Sequence, residues 1–126
     1  MKGRAKVEAL QLALKAAKGR LGRAEFALAE LVRAIRERAE LAKECSRQLS
    51  AAPLDCEDSG FATFADRRRN AIMAQISAHF AELETLYAAE NSKRADVQRF
   101  LRQKISLEAA EREASLEAAK GDARRL

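Results

Sequence analysis

An all-α fold, a two-helix antiparallel coiled-coil hairpin with a longer C-terminal helix, is predicted by three observations. Apolar side chains recur at alternating three- and four-residue steps from Val7 to Leu49. The only proline, Pro53, lies in an acidic stretch that interrupts this pattern, and no proline follows it. The composition agrees, because 34% of residues are charged, 5% are aromatic and none is Trp, a balance that suits long helices better than one compact core.

Helix 1 is expected over residues 3–50. The alternating step selects Val7, Leu10, Leu14, Ala17, Leu21, Ala24, Leu28, Leu31, Ile35, Arg38, Ala42, Cys45 and Leu49. Only Arg38 is not apolar, which makes this a sustained seam of coiled-coil type. At 1.5 Å per residue the helix would be about 70 Å long.

Residues 51–59 are expected to form the turn. Pro53 cannot continue a helix and disfavours the helical region for Ala52. Asp55, Glu57, Asp58, Ser59 and Gly60 are turn formers, and Asp58 or Ser59 is suited to cap the next helix. Cys45 and Cys56 stand eleven apart, in neither a CxxC nor a zinc spacing, and read as reduced thiols, Cys45 shielded in the seam and Cys56 accessible in the turn.

Helix 2 is expected over residues 60–121, with Gly121 permitting an end and 122–126 as a basic tail. The whole chain then makes a single elongated domain. A tight turn puts residue 50 opposite 61, and hence Leu10 opposite Leu101, Leu28 opposite Leu83, Leu31 opposite Phe80 and Ile35 opposite Ile76. In that register the helix 2 seam is 66, 69, 73, 76, 80, 83 and 87. Ala17 and Leu21 meet Arg94 and Glu90, so KGRLG and ENSKRAD mark a soft spot, and residues 110–125 project past helix 1 by about 20 Å. Phe61, Phe64 and a column of Ile72, His79, Leu86, Lys93, Phe100 and Leu107 would then face outward as a docking surface.

The chemistry-bearing residues are few. His79 has Glu82 and Glu84 nearby but no nucleophile or second ligand, and the glycines form neither GxxxxGK nor GxGxxG. A non-enzymatic protein is expected, with no catalytic, cofactor or metal residues and no small-molecule ligand. Residues 1–23 carry seven basic groups against Glu8, while Asp55, Glu57 and Asp58 make the middle acidic. Arg67, Arg68 and Arg69 and the basic start are interleaved with alanine and leucine and lack stacking aromatics, which reads as a solvated face and not a nucleic-acid site. A nucleic-acid-binding helical arm and a generic coiled-coil scaffold are the alternatives. No run of the chain is apolar enough to span a bilayer, and its start carries no apolar h-region with a cleavage site, so a cytoplasmic protein is expected.

The order of a long helix, a turn and an aromatic-x-x-Phe start to a longer helix resembles the FliJ family of flagellar type III export proteins. The matching segments are FATFADRRRNAIMAQISAHFAEL and KRADVQRFLRQKISLEAAERE. The resemblance implies a hairpin similar to the stalk subunit of rotary ATPases, coupling the hexameric export ATPase to the membrane export gate protein, with export chaperones as further partners. It implies a cytoplasmic location, peripheral to the inner membrane at the flagellar base. The family's gate-contact pattern falls on Phe64, Arg68 and Ala71, with Arg68 where an apolar residue is usual. With Phe61 and Ile72 these make the expected partner surface. Lys2, Arg4, Lys6, Arg124 and Arg125 would be the end that enters the ATPase ring.

Overall fold

A computed structural model describes the backbone of residues 2–51 and 59–124 and the side chains of residues 3–51 and 63–124. It contains two helices packed against each other, α1 (Lys2–Ala51) and α2 (Ser59–Arg124), as an all-α hairpin. α1 ends at Ala51, ahead of Pro53, which lacks the backbone donor that a helix interior requires. Asp58, Pro53 and Cys56 lie outside the described residues, so the expected cap and the exposure of that thiol have no structural counterpart here. α2 begins at Ser59 and passes through Gly121 to Arg124. One glycine costs a helix only about 1 kcal/mol relative to alanine, which does not end it.

By contacts the chain divides into two compact units, one of Met1–Leu28 with Ser92–Leu126, the other Ala29–Asn91. In the first, Ala17, Leu21, Ala24 and Ala114 are buried, and Leu10, Leu14, Leu28, Val97, Phe100 and Leu107 are half-buried. In the second, Ala42, Cys45, Ala65, Ile72 and Leu83 are buried, and Leu31, Ile35, Ile76 and Leu86 are half-buried. Every position of the seam predicted for α1 is buried or half-buried, Arg38 included. The cores are thin and rich in alanine, so the helices approach closely. At Gly3 an added Cβ would lie 3.4 Å from Ala118 Cβ, in ordinary contact.

The seam of α2 differs from the one expected. Asp66, Met73, Phe80 and Tyr87 are exposed, while the column expected to face outward, Ile72, His79, Leu86, Lys93, Phe100 and Leu107, is buried or half-buried. Arg69, Ile76 and Leu83 serve both arrangements. Followed further, the observed column continues to Ala114, whereas the 66–73–80–87 column runs into Arg94 and Glu108. Burying charged side chains is costly, and this favours the observed column, which carries one such residue, Lys93, against Asp66, Arg94 and Glu108 in the other.

The register also differs. A tight turn would set Gln11 opposite Phe100, but its amide donates to Glu111 Oε1 at 3.5 Å, eleven residues on. In the other unit Arg38 would face Met73 and instead reaches His79, and Cys45 would face Asp66 but its thiol lies 3.7 Å from Gln75 Oε1. Both shifts run in the same direction, and partner numbers fall along α2 as they rise along α1, so the packing is antiparallel in each unit. The expected projection of residues 110–125 is therefore absent over 110–118. Ala110, Ala114 and Ala118 line a groove with Gly3 and Leu10. Where the soft spot was expected, α1 is helical through Gly19 and Gly22, and Ala17, expected to meet Arg94, is buried at 0% exposure.

Spin labels can measure this register. In a Cys45→Ala, Cys56→Ser background, labels at positions 11 and 111 are expected to lie within about 15 Å, given interaxial spacings of about 8–10 Å. Labels at positions 10 and 101 are offset along the helix axis by roughly 15 Å, the rise over ten helical residues, and should be farther apart, at about 20 Å. A shorter distance for the second pair would restore the tight-turn register.

Candidate functional site

The residues expected to contact a gate protein separate into two groups. Phe64, Arg68 and Ala71 are all exposed, and their spacing of four and three places them on one face of α2. Phe64 retains 62% of its accessible surface. Ile72 does not belong with them: at 5% exposure it is part of the hairpin core and is withdrawn from the partner surface. The change follows from the rotation of α2, which turns the 72–79–86 column inward. The side chain of Phe61 lies outside the described residues.

Of the basic residues expected at the ring end, Arg4, Lys6 and Arg124 are exposed, and the side chains of Lys2 and Arg125 lie outside the described residues. Arg4 and Lys6 share a groove of about 630 Å³ with Glu113, Glu117 and Asp122 of α2. The basic start therefore shares a groove with carboxylates of its own chain without pairing with them, a juxtaposition created by the register.

The structure presents two further surfaces. Met73, Phe80 and Tyr87 are spaced by seven on α2 and are 53%, 56% and 51% exposed. Phe80 borders an open groove with Ala39, Ala42 and Ser46 of α1. These residues were assigned to the seam because periodicity alone does not separate adjacent columns when both carry large apolar side chains. Phe26 on α1 is another exposed aromatic, at 68%.

The second surface is electrostatic. The unit Met1–Leu28 with Ser92–Leu126 holds sixteen basic and eight acidic residues, net +8; Ala29–Asn91 holds eight basic and eleven acidic, net −3, and together they give the chain's +5. In the second unit Arg33, Lys43 and Arg47 each pair with a glutamate three residues earlier, at 2.9, 3.4 and 2.9 Å. These are exposed pairs of little energetic value, but they neutralise the surface locally. In the first unit Arg4, Lys6, Lys15, Lys18, Arg20 and Arg23 make no ion pair among the described residues. The sequence carried the signal: no acid occurs between Glu8 and Glu25. Around Phe100 the cations converge, with Arg99 Cζ 4.8 Å and Arg20 Cζ 6.0 Å from the ring centroid.

His79 is half-buried in the seam, its Nδ1 3.2 Å from Arg38 Nη1. A guanidinium only donates, so in this contact Nδ1 is the acceptor. Histidine and arginine here satisfy each other inside the helix pair. Among the described residues there is no cluster of three or more His, Cys, Asp or Glu that could hold a metal ion, and no helix is long and apolar enough to cross a membrane.

No family model, curated protein or solved structure matches the chain.

Proposed function

We propose that this chain is a non-enzymatic coupling subunit of a bacterial flagellar type III export apparatus, a helical hairpin that links the hexameric export ATPase to the membrane export gate protein at the cytoplasmic face of the inner membrane. The observation that carries the reading is the row Phe64, Arg68 and Ala71, exposed on one face of α2. The hairpin does not use these residues in its own core, so they are available to a partner. The difference in charge between the two units supports the same reading, because two chemically distinct surfaces suit two different partners.

Apolar docking would be read by truncation. Phe64→Ala is expected to weaken association with the gate protein by about ten-fold, as for a moderate interface hot spot, with helicity unchanged. Deleting residues 110–126 does not provide a clean test of the ATPase contact, because Ala114 is buried in the hairpin. Arg4→Gln with Lys6→Gln removes two exposed charges without setting new acids against Glu113, Glu117 and Asp122, and should reduce ATPase association while leaving gate binding intact. The reading fails if neither an ATPase hexamer nor a gate protein co-purifies with the native chain, or if Phe64→Ala leaves gate binding and protein export unaltered.

A further inference from the structure

We propose that the groove between Arg20 of α1 and Arg99, Arg102, Gln103 and Ser106 of α2 is a binding site for a ligand carrying two or more adjacent phosphate groups. The groove has a volume of about 530 Å³ and Leu107 also lines it. A second groove, of about 240 Å³, adjoins it through Arg20 and adds Arg23 and Lys93. Together the two grooves present five cations and a single carboxylate, Asp96. That carboxylate is shared by Lys93 at 3.6 Å and Arg99 at 3.3 Å and neutralises at most one of them.

The composition of the walls points to phosphate. Arg20 and Arg102 make no ion pair, and Gln103 and Ser106 no hydrogen bond, among the described residues, so their donors are free. The guanidinium groups come from two helices, Arg20 from α1 and Arg99 and Arg102 from α2. A planar carboxylate is matched by one arginine fork, whereas a tetrahedral phosphate presents oxygens to forks arriving from several directions, and the neutral amide and hydroxyl serve those that remain. The ring of Phe100 lies near both Arg20 and Arg99, which limits where their charged ends can go. The second groove, with its own cations, provides for a neighbouring phosphate. The site is independent of the coupling role proposed above.

The test is a calorimetric titration of inorganic tripolyphosphate into the full chain at about 0.15 M salt, where screening suppresses diffuse attraction. A saturable single-site isotherm is expected. Arg20→Ala with Arg102→Ala should weaken it about ten-fold or more, and Arg20→Lys with Arg102→Lys, which keeps the charge and loses the fork, should restore it only in part. Arg36→Ala with Arg67→Ala removes the same charge from the other unit and should leave affinity within about two-fold, with circular dichroism unchanged in all variants. Absence of a saturable isotherm, equal loss in the Arg36 and Arg67 control, or full recovery in the lysine variant overturns the proposal. A short oligothymidylate identifies the source. Binding through the same arginines about ten-fold tighter than tripolyphosphate, with a steep salt dependence, assigns the site to a nucleic-acid backbone, and equal or weaker binding assigns it to a free phosphate ligand; both outcomes support the site.

Discussion

Ile72→Ala should destabilise the hairpin by about 2–4 kcal/mol, while Met73→Ala, at the next position, should change stability by less than about 0.5 kcal/mol. The contrast follows from burial, 5% exposed for Ile72 and 53% for Met73. Ile72 packs in a thin seam whose other buried members in that unit are Ala42, Cys45, Ala65 and Leu83. With so few large side chains, the loss of one is poorly compensated, because neighbouring alanines have no longer rotamers with which to fill the gap. Met73 leaves a surface already in water. In urea unfolding followed by circular dichroism, Ile72→Ala should lower the midpoint with little change in slope. Equal effects at the two positions, or a larger one at Met73, would mean that α2 is rotated to the 66–73–80–87 seam, and the partner surface would have to be redrawn with Ile72 in it.

The polar pair inside the seam should respond in the opposite sense. Arg38→Leu combined with His79→Leu is expected to stabilise the protein by up to about 1 kcal/mol, since replacing a half-buried polar pair by apolar groups removes a partial desolvation cost that the mutual interaction does not recover. Arg38 and His79 are both half-buried, and their contact of 3.2 Å is the only link between helices that either makes among the described residues. His79→Leu alone should be destabilising by about 1 kcal/mol, because Arg38 then loses its acceptor while remaining partly enclosed. The two single variants and the double variant form a thermodynamic cycle. Additive effects would show that the pair is not coupled and that Arg38 escapes to solvent along its aliphatic stem.

The pattern of α1 was legible because its apolar residues form one narrow stripe. Ala17, Leu21, Ala24, Ala42 and Cys45, taken from the three- and four-residue step alone, are buried. Even the exception was informative, since Arg38 stays in the stripe and finds His79. α2 was legible as a helix but not as a surface. Ile72 and Met73, His79 and Phe80, and Leu86 and Tyr87 are adjacent pairs, so two columns of similar hydrophobicity run side by side, and a single sequence does not rank them. That ambiguity misplaced the docking column, which proved to be core. The basic groove at Arg20, Arg99 and Arg102 was visible only as charge, because its residues lie about eighty positions apart along the chain.

What the sequence determined by itself is local: two long helices, an α1 that ends before Pro53, and the face that α1 presents to its partner. These follow from backbone sterics and from a period set within a few turns. The tertiary structure alone decided the register and rotation of α2, and with them which of Ile72 and Met73 is core, whether Gln11 meets Phe100 or Glu111, and whether Arg20 stands beside Arg99. A shift of one helix along another leaves every local hydrogen bond and capping preference unchanged. Its energy lies in contacts summed along both helices, where alanines permit close approach and charged side chains must reach water, and no short stretch of sequence contains that sum.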